Sequence, residues 1–228
     1  MEHRQFAKLE GPFVPASGPK ADQMILILLH GWGADGRDLI DLAAPIQAEL
    51  PNLGLFTPHA PYPCSANPMG RQWFALTERF FEKPASVLAE IETVSVLIEE
   101  MIEALMAELS LGRDQIMLGG FSQGGMMTLY LASQFASDED KKVAGYASIA
   151  GALIAPDRLV PAGDKAAPLW LAHGQMDQVV PFAALEQAQK ELADCHYDVS
   201  VCVRPMMAHS IDMPTVESLI AFIKKARA

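Results

Sequence analysis

The chain is expected to be an α/β protein with a mainly parallel central sheet and helices on both faces. Three observations predict this. Short, continuous apolar runs recur, as in strands buried on both sides. Longer segments with apolar residues at helical spacing alternate with them. No repeat, low-complexity tract or long linker divides the 228 residues, a length that suits one domain spanning 1–228.

Taken in order, residues 1–20 read as an N-terminal arm, with charged and apolar residues alternating from Met1 to Glu10 and no signal-peptide core. Met24–Leu29 is the first buried strand, and His30-Gly31-Trp32-Gly33 follows it. Leu53–Phe56 is a second, running into the proline-rich Thr57–Pro63. The aromatic, aperiodic stretch at 57–82, with Arg71-Gln72-Trp73-Phe74 and Arg79-Phe80-Phe81, reads as a lid or cleft wall, or else as a loop buried against the sheet edge. A helix is expected over Pro84–Leu109, where apolar residues recur at helical spacing at Leu88, Ile91, Val94, Leu97/Ile98, Met101/Ile102, Leu105 and Leu109, and Gly112 lies beyond the end. Gln115–Leu118, Val143–Ile149, Pro168–Ala172 and Tyr197–Val203 read as further strands. Met126–Ala132, Phe182–Ala193 and Pro214–Arg227 read as helices.

The most specific signal is Gly119-Gly120-Phe121-Ser122-Gln123-Gly124-Gly125. Gly120-x-Ser122-x-Gly124 between a strand and a helix has the form of a nucleophile elbow, with small residues where the backbone nearly touches itself. The plainer reading is a glycine-rich turn with Ser122 a passive cap. A serine nucleophile needs a base, and the base needs an orienting acid. In an open parallel sheet these groups gather beyond the carboxyl ends of strands. Asp177 follows the strand ending at Ala172, and His209 follows the one ending at Val203. Singly, Asp177 is also a turn or capping aspartate and His209 a core-edge histidine. Together with Ser122, in the order Ser, Asp, His, they predict a triad. His30 and His173 precede glycines and suit turn-shaping. His3, His59 and His196 lie in the wrong places, and Asp157, Asp164 and Asp212 are backup acids. The Gln123 amide and an amide of the 30–33 loop, that of Trp32, would form an oxyanion hole.

Leu29-His30-Gly31-Trp32-Gly33, the elbow, His173-Gly174-x-x-Asp177-x-x-Val180-Pro181 and His209-Ser210 together resemble the phospholipase/carboxylesterase family, which includes acyl-protein thioesterases and small bacterial esterases. The resemblance spans almost the whole chain. It implies an α/β-hydrolase fold, Ser122 as nucleophile, His209 as base, Asp177 as acid, and Trp32 and Gln123 as oxyanion donors. The chain departs from the family pattern at Trp32, where leucine is common, at Gln175, where aspartate is, and at Ala208, where glycine is. Trp32 would narrow the acyl site.

A net charge of −11 without a basic cluster argues against nucleic acid as a partner. The phosphate-loop pattern fails because Gly125 stands where lysine is needed, and no H-E-x-x-H or His/Cys cluster suggests a metal, so no cofactor is expected. Three scattered cysteines, Cys64, Cys195 and Cys202, point to a reduced, cytoplasmic setting, and no segment is long enough for a membrane anchor.

The expected activity is hydrolysis of carboxylic esters of short to medium acyl chains, with thioesters and lysophospholipids next. Trp73, Met176 and Met207 are the expected substrate contacts. Met126, Met127 and Met206 are either groove-lining or core filling. Two other classes compete: a silent binding module, which would not label at Ser122, and an acyltransferase, which would partition product toward an added alcohol. A homodimer would need an apolar patch, at the 57–82 stretch or the Val199–Val203 edge.

Overall fold

A computed structural model describes residues 1–76, 84–136, 138–163 and 166–227. Arg79-Phe80-Phe81 of the expected lid and the backup acid Asp164 lie outside the described residues.

The central sheet runs β1-β2-β4-β3-β7-β8-β9-β10. Its parallel part comprises β3 (Met24–Leu29), β4 (Leu53–Phe56), β7 (Ile116–Phe121), β8 (Gly145–Ile149), β9 (Leu169–Gly174) and β10 (Val199–Arg204). Alternation along the strands divides the core in two. Ile25, Ile27 and Leu29 face one layer, Met24, Leu26 and Leu28 the other. The first layer is covered by α3 (Leu88–Leu109), α4 (Gln123–Phe135) and α5 (Ala183–Asp194). The second is covered by α1 (Arg37–Ile40), α2 (Ala43–Glu49) and α6 (Met213–Ala226). The mainly parallel, doubly covered sheet expected from the sequence is the sheet observed.

Residues 1–20 are not a free arm. β1 (Glu2–Phe6) and β2 (Leu9–Val14) form an antiparallel hairpin that extends the sheet through β4. Phe6, Phe13 and Phe56 pack edge to face, with Phe6 and Phe56 centroids 4.9 Å apart, so burying the hairpin's alternate apolar residues fixes it to the sheet. The helix expected from Pro84 begins as a 3-10 turn, Pro84–Val87, and becomes α-helical at Leu88. It closes at Ser110 in the left-handed conformation, before the expected Gly112.

The described part of the 57–82 stretch is a wall packed into the molecule. A two-residue ribbon, β5 (Tyr62–Pro63) with β6 (Arg71–Gln72), leads into Trp73 and Phe74, both fully buried.

The strand order reverses at β3. The chain leaves it for β4 on one side and returns to β7 on the other, so the crevice beyond the carboxyl ends of β3 and β7 is a switch point, where open α/β sheets bind ligands.

Candidate active site

Ser122 stands at the tip of β7 with φ 53° and ψ −116°, a strained backbone for a residue with a side chain. Its amide donates to Ile149 O at 2.8 Å, extending the ladder to β8. Its hydroxyl does not cap α4, although serine at that position usually does. The turn is tight because a Cβ on Gly124 would come within 2.0 Å of Leu29 O, and one on Gly120 within 2.3 Å of the Gly124 backbone. Only glycine lets α4 press onto the end of β3 in this way.

That contact brings the loop after β3 to the serine. A methyl on Gly31 would lie 3.3 Å from Ser122 Cβ, and Gly33 takes φ 77° to turn the chain. His30 is fully buried. Its Nδ1 lies 2.8 Å from Gly31 O, and its Nε2 accepts from the Ala60 amide at 3.0 Å, which fixes a neutral Nδ1–H ring. Burial lowers its pKa from 6.5 to about 4. His30 therefore shapes the loop.

Asp177 sits in the loop after β9, buried, with Oδ1 accepting from the Val179 and Val180 amides at 2.9 Å each. Its Oδ2 lies 2.7 Å from His209 Nδ1. A carboxylate accepts only, so Nδ1 carries the proton and Nε2 keeps its lone pair. The two loops meet directly. Met176 N donates to Met207 O at 3.1 Å, and Gln175 N to Arg204 O at 2.9 Å. Gly174 permits this, since a Cβ there would lie 2.0 Å from Met207 O.

Ser122 and His209 line one cleft of about 390 Å³ with His30, Gly31, Trp32, Ala34, Asp38, Leu39, Leu42, Phe121, Ser210 and Ile211. The walls are largely apolar, and Asp38 adds a carboxylate. The structure thus brings Ser122, His209 and Trp32 to one cleft, joins Asp177 to His209, and places Gln123 directly after Ser122 at the start of α4.

Three expected substrate contacts are corrected. Trp73 is fully buried and hydrogen-bonds to His30 O at 2.8 Å, so it faces the core and lines no part of this cleft. Met207 is buried beside Thr215, whose hydroxyl lies 3.5 Å from its sulfur. Met176 is exposed and is not among the residues lining this cleft, Met206 is exposed too, and Met126 and Met127 fill the core.

Several residues at the site escaped sequence reasoning. Phe121 packs its ring 4.7 Å from that of His209. His173 Nε2 lies 2.9 Å from Val180 O and 3.3 Å from Asp177 Oδ2, steadying the acid loop as well as its turn. Leu39 and Leu42 come from a short helix and the residue preceding another, too short for a periodic signal. Among the described residues no group of histidine, cysteine and acidic side chains is placed to hold a metal ion, and no helix is long and apolar enough to cross a membrane.

The sequence profile of a family described as phospholipase/carboxylesterase matches residues 10–227. The chain is 29% identical over 163 residues to acyl-protein thioesterase 1 homolog 1 of Dictyostelium discoideum, covering 68% of this chain and 69% of that one. It is 26% identical to carboxylesterase SOBER1 of Arabidopsis thaliana, covering 88% and 89%. Among solved structures it is similar to esterase PE8, with a TM-score of 0.84, 31% identity, and 96% of this chain and 99% of that chain covered.

Proposed function

Because the chain belongs to the phospholipase/carboxylesterase family and is a carboxylic-ester hydrolase, we propose that it cleaves esters of short to medium acyl chains through Ser122, His209 and Asp177. The observation that carries this reading is the 2.7 Å contact of His209 Nδ1 with Asp177 Oδ2, with His209 and Ser122 in one cleft. The contact aims the free Nε2 lone pair away from the acid.

In the proposed cycle Ser122 Oγ attacks the ester carbonyl carbon while His209 Nε2 takes its proton. The carbonyl oxygen becomes an oxyanion facing the Trp32 and Gln123 amides. Gln123 opens α4, whose first N–H groups have no acceptor within the helix, which favours negative charge at that end. Collapse expels the alcohol, which takes the proton from His209. A water then adds to the acyl-enzyme with His209 again as base, releasing the acid and Ser122. Asp177 keeps the ring in its Nδ1–H tautomer and stabilises the imidazolium.

The cleft volume and the Trp32, Leu39, Leu42 and Ile211 walls support a short to medium apolar group. Thioesters form a second substrate class, favoured by relatives named acyl-protein thioesterase. The unpaired thiols of Cys64, Cys195 and Cys202 support a cytoplasmic setting.

The test is a chain-length series of p-nitrophenyl esters on the native protein and on Ser122→Ala. Turnover that peaks at one length and falls by about 10⁴-fold or more in the variant is expected. Turnover of every ester and thioester that survives Ser122→Ala would overturn the proposal.

A further inference from the structure

Gln123 is fully buried and is not among the residues that line the cleft. Its side-chain amide reaches Trp73 and Phe74 instead. Oε1 accepts from the Trp73 amide at 2.9 Å, and Nε2 donates to Phe74 O at 2.7 Å. Both polar atoms therefore bind the backbone of two consecutive wall residues, as a neighbouring strand would. On its other side the same wall holds the loop after β3. The Gly33 amide donates to Arg71 O at 2.9 Å, and the Arg71 amide to Ala34 O at 2.7 Å. Trp32 Nε1 donates to Gln72 Oε1 at 3.0 Å, and Trp73 Nε1 to His30 O at 2.8 Å.

Residues 71–74 are thus bonded at one end to the loop that carries the Trp32 amide and at the other to the residue that carries the Gln123 amide. The pairing of β3 with β7 ends at Leu29 and Gly120, three residues short of each amide, so beyond the ladder their separation is left to loop contacts and to this wall. One lies beyond β3 and the other opens α4.

Resting on the reading of Ser122 as nucleophile, we propose that the Gln123 side chain is a positioning residue. It locks the 71–74 wall as a template that sets the spacing of the two oxyanion donors. The physical need is strict, because donors act on the transition state only when preorganised, and a displacement of about 1 Å can cost about 10²-fold in rate. A side chain buried for packing alone would be apolar, since an amide at that place must find both partners or be costly.

The experiment compares native protein, Gln123→Met and Gln123→Glu on p-nitrophenyl butyrate, with active sites titrated by a phosphonate. Affinity for an alkyl boronic acid, which forms an anionic tetrahedral adduct with the serine, is measured on each. In Gln123→Met, kcat is expected to fall about 10- to 100-fold with KM changed by less than about threefold, and boronate affinity to fall by a similar factor. Gln123→Glu supplies a readout that general destabilisation would not move. Its protonated carboxyl can accept from Trp73 N and donate to Phe74 O, whereas the ionised form can only accept. The ratio of variant to native kcat should therefore rise as pH is lowered. This ratio cancels the titration of His209 and serves even where Gln123→Met does not fold.

Native kcat in folded Gln123→Met, a loss confined to KM, or a Gln123→Glu ratio independent of pH would overturn the inference. Ser122→Ala distinguishes the two levels. Native turnover that survives it removes the reading of the nucleophile, whereas Ser122-dependent turnover indifferent to Gln123 removes only the template.

Discussion

Ser122 and His30 show how single residues at this site are held in states they would not adopt alone. The serine is fixed at positive φ by the ladder bond to Ile149 and the backbone contacts around Gly124. The histidine is held neutral by burial, with a pKa near 4 against 6.5. An unfolded chain takes up a proton here below about pH 6.5 that the folded chain refuses until about pH 4. The resulting stability is fully present above that window and lost as pH falls through it, by about 3 kcal/mol in all. Urea midpoints of the native protein should therefore drop more between pH 7 and about pH 4.5 than those of His30→Gln. Parallel drops would show that His30 is not the group responsible.

At the scale of elements, loop ends matter most. Asp212 caps α6, accepting from the Thr215 amide at 2.9 Å, and also pairs with Arg204 at 3.0 Å. It thereby closes the loop that carries His209. Asp212→Ala should cost about 1 kcal/mol in urea unfolding, and Asp212→Asn, which keeps a capping oxygen, clearly less. Equal losses would place the effect in the Arg204 pair instead. These elements also show what the sequence makes legible. The elbow and the strands around it are marked by local chemistry, glycines where backbones collide and continuous apolar runs where both faces are covered. The β1–β2 hairpin was hidden because its partner for burial, Phe56, lies far along the chain and Pro12 interrupts the pattern. Trp73 was misplaced for a related reason. An aromatic beside a polar stretch reads as a cleft wall until the distant His30 carbonyl that takes its N–H is known. The contacts of Gln123, about 50 residues away along the chain, leave no mark on local pattern at all.

The whole molecule adds a field to these local features. The net charge of −11 surrounds a cleft whose wall includes the Asp38 carboxylate. Encounter with an anionic substrate is opposed at low ionic strength and less so once salt shortens the screening length from roughly 30 Å at 0.01 M to 3 Å at 1 M. A p-nitrophenyl ester of a dicarboxylic acid should thus show a lower kcat/KM than a neutral ester of equal length. The gap should narrow as salt is raised. A ratio independent of salt would mean that the field does not reach the reacting carbonyl.

The two backbone amides on Asp177 Oδ1 have a consequence for movement. They hold the carboxylate from within its own loop, without help from His209. In the proposed cycle the imidazole serves the serine, the departing alcohol and the incoming water in turn, and each exchange asks it to swing slightly. The carboxylate need not follow. Rearrangement during turnover is then confined to one ring, which returns each time to the same fixed docking point. Exchange broadening should accordingly appear in the His209 ring resonances and be absent from the Val179 and Val180 amides.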